Sequence, residues 1–106
     1  MKTIKTELPP TIVNSRSEIA GLLADLRYAA GLTGEQFDEV AGWADRYTGK
    51  LEAGMRSGFI LEPGRIKVHP MGDVWLESFG LSLVLMTRDQ AEEIGAVPCK
   101  PRVTAH

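Results

Sequence analysis

One cysteine, Cys99, and two histidines, His69 and His106, are the only thiol and imidazole groups in this 106-residue sequence. A lone thiol excludes an internal disulfide, and three such scattered residues make no zinc spacing. An excess of positive charge is also missing. Twelve Lys and Arg stand against 14 Asp and Glu, a formal net charge of −2, which excludes a strongly cationic chain that binds by neutralising many phosphates. It does not exclude a sequence reader, because Arg27, Arg46, Lys50 and Arg56 cluster while Asp89, Glu92 and Glu93 lie far along the chain. No run nears the roughly 18 apolar residues that span a bilayer. The opening M-K-T-I-K-T-E-L-P-P carries charge without the apolar stretch of a cleaved signal peptide. A cytoplasmic protein with no membrane partner is expected. Phosphate-cradling loops are lacking too, since Gly34, Gly42, Gly49 and Gly54 fit neither G-x-x-x-x-G-K-[ST] nor G-x-G-x-x-G. His69, between Val68 and Pro70, has no serine, cysteine or paired carboxylate at a catalytic spacing. The sequence therefore predicts no enzyme, no metal and no cofactor.

What is present is one modest domain, 43% hydrophobic and 25% charged, organised around residues 33–54. Thr33 and Gln36 have capping-box spacing, so a helix is predicted from Gly34, with Phe37, Val40 and Ala41 on one face and Glu35, Asp38 and Glu39 in water. Gly42 ends it by taking the left-handed conformation. A second helix is predicted to follow at once, with Trp43, Tyr47 and Leu51 at four-residue intervals as a buried face and Gly54 as its stop. Upstream, Ser15 and Glu18 repeat the capping-box spacing ahead of an apolar stripe of Ile19, Leu22, Leu23, Leu26 and Ala30.

Two helices joined through a glycine turn are a helix-turn-helix signature. Leu23, Leu26, Arg27, Gly31, Leu32, Thr33, Glu35, Ala41, Gly42, Tyr47, Lys50, Leu51, Glu52 and Gly54 together resemble the Cro/C1-type (XRE) helix-turn-helix domain. The resemblance implies a mainly α, lambda-repressor-like bundle over 15–80. It implies DNA contacts from Thr33, Gly34, Glu35, Ala44, Asp45, Arg46, Gly49, Lys50 and Arg56. Among these, Arg46 or Lys50 can bond guanine and Asp45 can accept from a cytosine amine. Three positions depart from the family: Gly34 replaces a phosphate-contacting glutamine, Thr48 a buried branched aliphatic, and Gly49 interrupts the reading helix.

Beyond the motif, Pro70 is placed to start a helix through Met71, Val74, Trp75, Ser78 and Phe79 that Gly80 stops. The stretch from Met55 to Pro70 reads as a loop with a short extended piece, in which Arg65 to His69 is either a lysine-protected edge strand or a basic ribbon for a phosphate backbone. Residues 81–87 read as a β-strand apolar on both faces, with Leu81, Leu83, Val84, Leu85 and Met86 as its dimerisation residues. Its context is similar to the end of HipB-like antitoxin repressors, which implies pairing with a twin across a two-fold axis. Residues 1–14 read as an extended arm, and 88–106 as a short helix capped by Asp89 followed by a flexible tail. Three functions follow as expectations. One is a homodimeric repressor bound to a double-stranded DNA operator. Another is an antitoxin that covers a toxin protein and regulates its own operon. The last is a helix-turn-helix module that binds protein without DNA.

Overall fold

The computed structural model of the chain describes residues 3–99, and the expectations placed on 1–2 and 100–106, His106 included, lie outside them. The described chain is mainly α, with two small sheets. Helix α1 (Arg16–Ala29) begins at Ser15, whose hydroxyl accepts the Glu18 amide at 3.2 Å. Glu18 does not close the capping box on Ser15 and instead accepts the Asn14 amide at 2.7 Å, tying down the end of the arm. Helix α2 (Gly34–Ala41) has the expected reciprocal box. Gln36 N–H donates to the Thr33 hydroxyl at 3.1 Å, and Thr33 N–H donates to the Gln36 side chain at 2.9 Å. Gly42, at φ 74°, turns the chain away.

The next helix departs from expectation. It does not start at Trp43; α3 spans only Tyr47–Glu52, and residues 43–46 form the turn. The reason is Asp38, which the helical pattern places in water but which is 4% exposed. Its carboxylate accepts the Arg46 and Thr48 amides at 2.9 and 2.8 Å, which fixes where α3 starts. Trp43 and Tyr47 still pack on the core, edge to face with ring centroids 5.3 Å apart. Phe37 links them to Phe79, stacked at 5.1 Å, in a core that also holds Ile19, Leu23, Leu51, Phe59 and Trp75. Arg27 of α1 clamps α3 through a two-pronged ion pair with Glu52 at 2.7 and 2.9 Å, and it also donates to the Leu32 carbonyl.

Between α3 and the next helix, where a loop with one short extended piece was expected, the extended piece at Arg65–Val68 is present and has a partner strand, making an antiparallel hairpin. Strand β2 (Phe59–Glu62) pairs with β3 (Arg65–Val68) across Pro63 and Gly64, and Gly64 has φ 78°. Helix α4 (Pro70–Ser78) has Pro70 in its first turn, as predicted. The hairpin base meets α4 backbone to backbone: a Cβ on Gly72 would lie 2.0 Å from the Gly58 carbonyl oxygen. After Gly80 the segment 81–87 belongs to no sheet, so the predicted strand is absent from the single chain. Helix α5 (Arg88–Glu93) is capped by Thr87 through a capping box with Gln90, where Asp89 was expected to cap. The expected fraying from Gly95 is also corrected within the described residues. The two-residue strands β1 (Thr11–Ile12) and β4 (Val97–Pro98) pair in parallel, with the Cys99 amide donating to the Ile12 carbonyl at 3.0 Å. No described helix is long and apolar enough to cross a membrane.

Candidate nucleic-acid interface

The start of α2 and the outer side of α3 enclose a shallow groove of about 630 Å³. Thr33, Gly34, Glu35, Asp38, Arg46, Gly49, Lys50 and Met55 line it. Six of the residues singled out from the sequence, Thr33, Gly34, Glu35, Arg46, Gly49 and Lys50, are therefore brought together. The α2 capping box places the helix's positive N-terminal end at one lip. Arg46 and Lys50 also line the groove, one as the cap residue of α3 and the other in its last turn. Neither makes a salt bridge among the described residues, where the only such pair is Arg27–Glu52.

The two glycines that depart from the family pattern shape the floor. A Cβ on Gly49 would meet nothing within 4 Å, and one on Gly34 only the Thr48 Cβ at 4.0 Å. Packing inside the chain therefore does not demand glycine at either place, and both leave the groove open to an approaching surface. Thr48, the third departure, is fully buried and donates its hydroxyl to Asp38 at 2.5 Å, so a polar pair stands where an aliphatic contact was expected. The groove carries both signs, Glu35 and Asp38 against Arg46 and Lys50. Such a lining suits base edges, which present donors and acceptors side by side, better than it suits a row of phosphates.

Three expected residues fall elsewhere. Ala44 and Asp45 are exposed in the turn before α3 and do not line the groove. Arg56 lines a separate cleft between α1 and the loop after α3, with Arg16, Gly54 and Trp75. Two groove residues escaped the sequence reading, Asp38 and Met55. Met55 is 70% exposed and follows Gly54, where the helical pattern has already stopped, so no periodic signal marks it. Asp38 looks like any solvent-facing acid of α2, since its partner Thr48 lies ten positions away.

Behind the groove, the Arg27–Glu52 pair sets the distance between α1 and α3. The hydrogen bond to Glu52 raises the Arg27 pKa despite partial burial, so the guanidinium side of the clamp keeps its charge. The expected dimerisation residues divide into two groups. Leu81 and Leu83 are half-buried and pack against the core, whereas Val84, Leu85 and Met86 are exposed, Leu85 at 84%. No backbone hydrogen bond involves residues 82–86 among the described residues. No family model, curated protein or solved structure matches this chain.

Proposed function

We propose that this chain is a sequence-specific DNA-binding regulator of the helix-turn-helix class, which presents α3 to the major groove and works as a two-fold dimer. One observation carries the reading: residues chosen for DNA contact from the sequence converge on a single open groove at the α2–α3 junction. Arg46 and Lys50 stand there without ion-pair partners among the described residues and can bond guanine or phosphate oxygens. Glu35 can accept from a cytosine amine, and Met55 can cover a thymine methyl. The unpaired segment 82–86 supports pairing with a second copy, which would place two α3 helices on half-sites about one DNA turn apart. The net charge of −2 fits a binder that relies on base readout and doubling rather than on phosphate attraction.

The test is selection of bound sequences from random duplex DNA at about 0.1 M salt, where nonspecific contacts are partly screened. Wild type should enrich a two-fold site. Lys50→Ala should weaken binding to it by about 1–3 kcal/mol and relax preference at one base pair. Unchanged isotherms for both Lys50→Ala and Arg46→Ala, with the helical signal intact, would remove direct readout. A second reading draws on the same unpaired segment: residues 82–86 can add to a strand of another protein, as an antitoxin would to its toxin. Gel filtration bears on the two, because a chain that elutes as a monomer at tens of micromolar has not paired with itself and leaves 82–86 to a foreign strand.

A further inference from the structure

We infer that Asp38 is the positioning residue of the reading helix: a buried carboxylate on α2 that caps α3 from outside and so sets which way Gly49 and Lys50 face. The inference rests on the DNA reading above and adds a residue that makes no DNA contact of its own.

Helix α3 has six residues and no side-chain cap of its own. A helix this short is unstable alone, because nucleation costs more than so few internal bonds return. Its leading residue, Arg46, is the only described non-glycine residue at positive φ, at 66°. That conformation is costly for a residue with a Cβ unless neighbours enforce it. Asp38 supplies what is missing. One carboxylate oxygen accepts the Arg46 amide at 2.9 Å, and the other accepts both the Thr48 amide at 2.8 Å and the Thr48 hydroxyl at 2.5 Å. These two amides belong to the cap residue and the second residue of α3, the donors that a helix leaves open at its start. The Asp38 carbonyl also accepts the Trp43 amide at 2.8 Å, so one residue holds both ends of the turn.

The consequence for recognition is geometric. Asp38 fixes α3 in both rotation and start point, because its two oxygens bind donors two residues apart. Lys50 and Gly49 follow immediately on the same helix. Leu51 in the core and Glu52 on Arg27 hold the far end of α3, so letting go of the N-terminal turn would let the helix tilt about that end and change where Gly49 and Lys50 point. Asp38 thus affects which base is read, whereas a purely structural group would affect only how much protein is folded.

The experiment compares wild type with Asp38→Asn and Thr48→Val, at a temperature where circular dichroism shows each folded. Asparagine keeps one acceptor for Thr48 but turns a donor toward the Arg46 amide; valine keeps the shape of Thr48 and loses only its hydroxyl bond. Each is put through selection from random duplex DNA, and amide hydrogen exchange is measured without DNA. The expected result is a loss of protection of tenfold or more at Arg46 and Thr48, confined to α3 and the turn. A changed or flattened base preference should accompany it, larger for Asp38→Asn than for Thr48→Val. Arg46→Gly added to Asp38→Asn should restore part of the protection, since glycine takes the left-handed conformation without help. If wild type enriches a site that both folded variants read with the same preference, the positioning role is overturned and the DNA reading stands. If wild type enriches no sequence, the DNA reading is overturned and this role goes with it. Should Asp38→Asn fail to fold, Thr48→Val alone decides, by the same two readouts.

Discussion

The groove at the α2–α3 junction and the segment 82–86 are built on opposite plans. Around the groove the exposed start of each helix is satisfied from within the chain: Thr33 and Gln36 bond each other's amides, and Asp38 takes the first donors of α3. Along 82–86 the backbone is satisfied by nothing among the described residues, and the side chains left outside, Val84, Leu85 and Met86, are apolar. The first surface has its helix-start donors bonded within the chain and offers side chains. The second offers unpaired backbone, which on the proposal above would become an element of structure when another strand lies alongside. On the same proposal, the first would supply specificity and the second assembly.

Both regions depend on a shared support, and the largest expected effect comes from striking it. Gly58 and Gly72 touch backbone to backbone where the hairpin base crosses α4, and a Cβ at Gly72 would sit 2.0 Å from the Gly58 carbonyl oxygen and 3.0 Å from the Phe59 ring. Gly72→Ala cannot be absorbed by a side-chain rotation, since the nearest atoms are main chain. It should cost about 3 kcal/mol or more, by overpacking and by prising Phe59 and Trp75 apart. A melting curve checks this. Groove and edge should be lost in a single transition, and a Gly72→Ala protein as stable as wild type would show that the crossing is looser than described.

A smaller effect should separate the two plans. Leu85 is 84% exposed, so Leu85→Asp should leave the isolated chain's stability within about 0.5 kcal/mol. In a two-fold pairing, however, the same change sets a carboxylate near its own copy in a drying interface. Sedimentation at tens of micromolar should show wild type as a dimer and Leu85→Asp as a monomer, with operator affinity falling at least tenfold and no change in the melting of the monomer. Val84→Pro should act the same way by removing an amide that has no backbone partner among the described residues. A wild type that sediments as a monomer would end the assembly argument for this edge.

What the sequence shows and what it hides divide by distance along the chain. Signals confined to a few residues are readable: the Thr33–Gln36 box, the Gly42 turn, Pro70 at the start of α4 and Ser15 at the start of α1 all stand where local chemistry puts them. The alternation of Ile66 and Val68 is readable as an extended piece and becomes β3, whereas its partner Phe59–Glu62 is not readable, because four residues leave too short an alternation to outweigh a loop. Long-range contacts are not visible locally. Asp38 with Thr48, Gly58 with Gly72, and Thr11–Ile12 with Val97–Pro98 each join residues whose own neighbourhoods suggest solvent, loop and frayed ends. The groove was half legible. Family resemblance supplied Lys50 and Glu35, while the residue that orients the helix and the methionine beyond its end needed the folded chain.

Between the two extremes lies the β1–β4 pairing, where arm and tail complete each other with only a few bonds, and the smallest expected effect concerns its strength. Cys99 sits at its edge: its amide donates to Ile12 and its thiol points to the Glu18 carbonyl at 3.7 Å. Burial raises the thiol pKa, and the carboxylates of Glu18 and Asp25 raise it further, since all three disfavour the thiolate. With the folded pKa above the unfolded one, the associated stabilisation is complete below the unfolded thiol's pKa and fades as pH rises through the folded value. Alkylation by iodoacetamide at pH 8, which needs the thiolate, should therefore run several-fold slower in the native chain than in urea, and the gap should narrow above pH 9. Glu18→Gln should speed the native reaction only slightly, because burial is the larger cause and remains. Equal native and unfolded rates at pH 8 would mean that the tail leaves the arm freely, which would make the tail, like residues 82–86, a surface waiting for a partner.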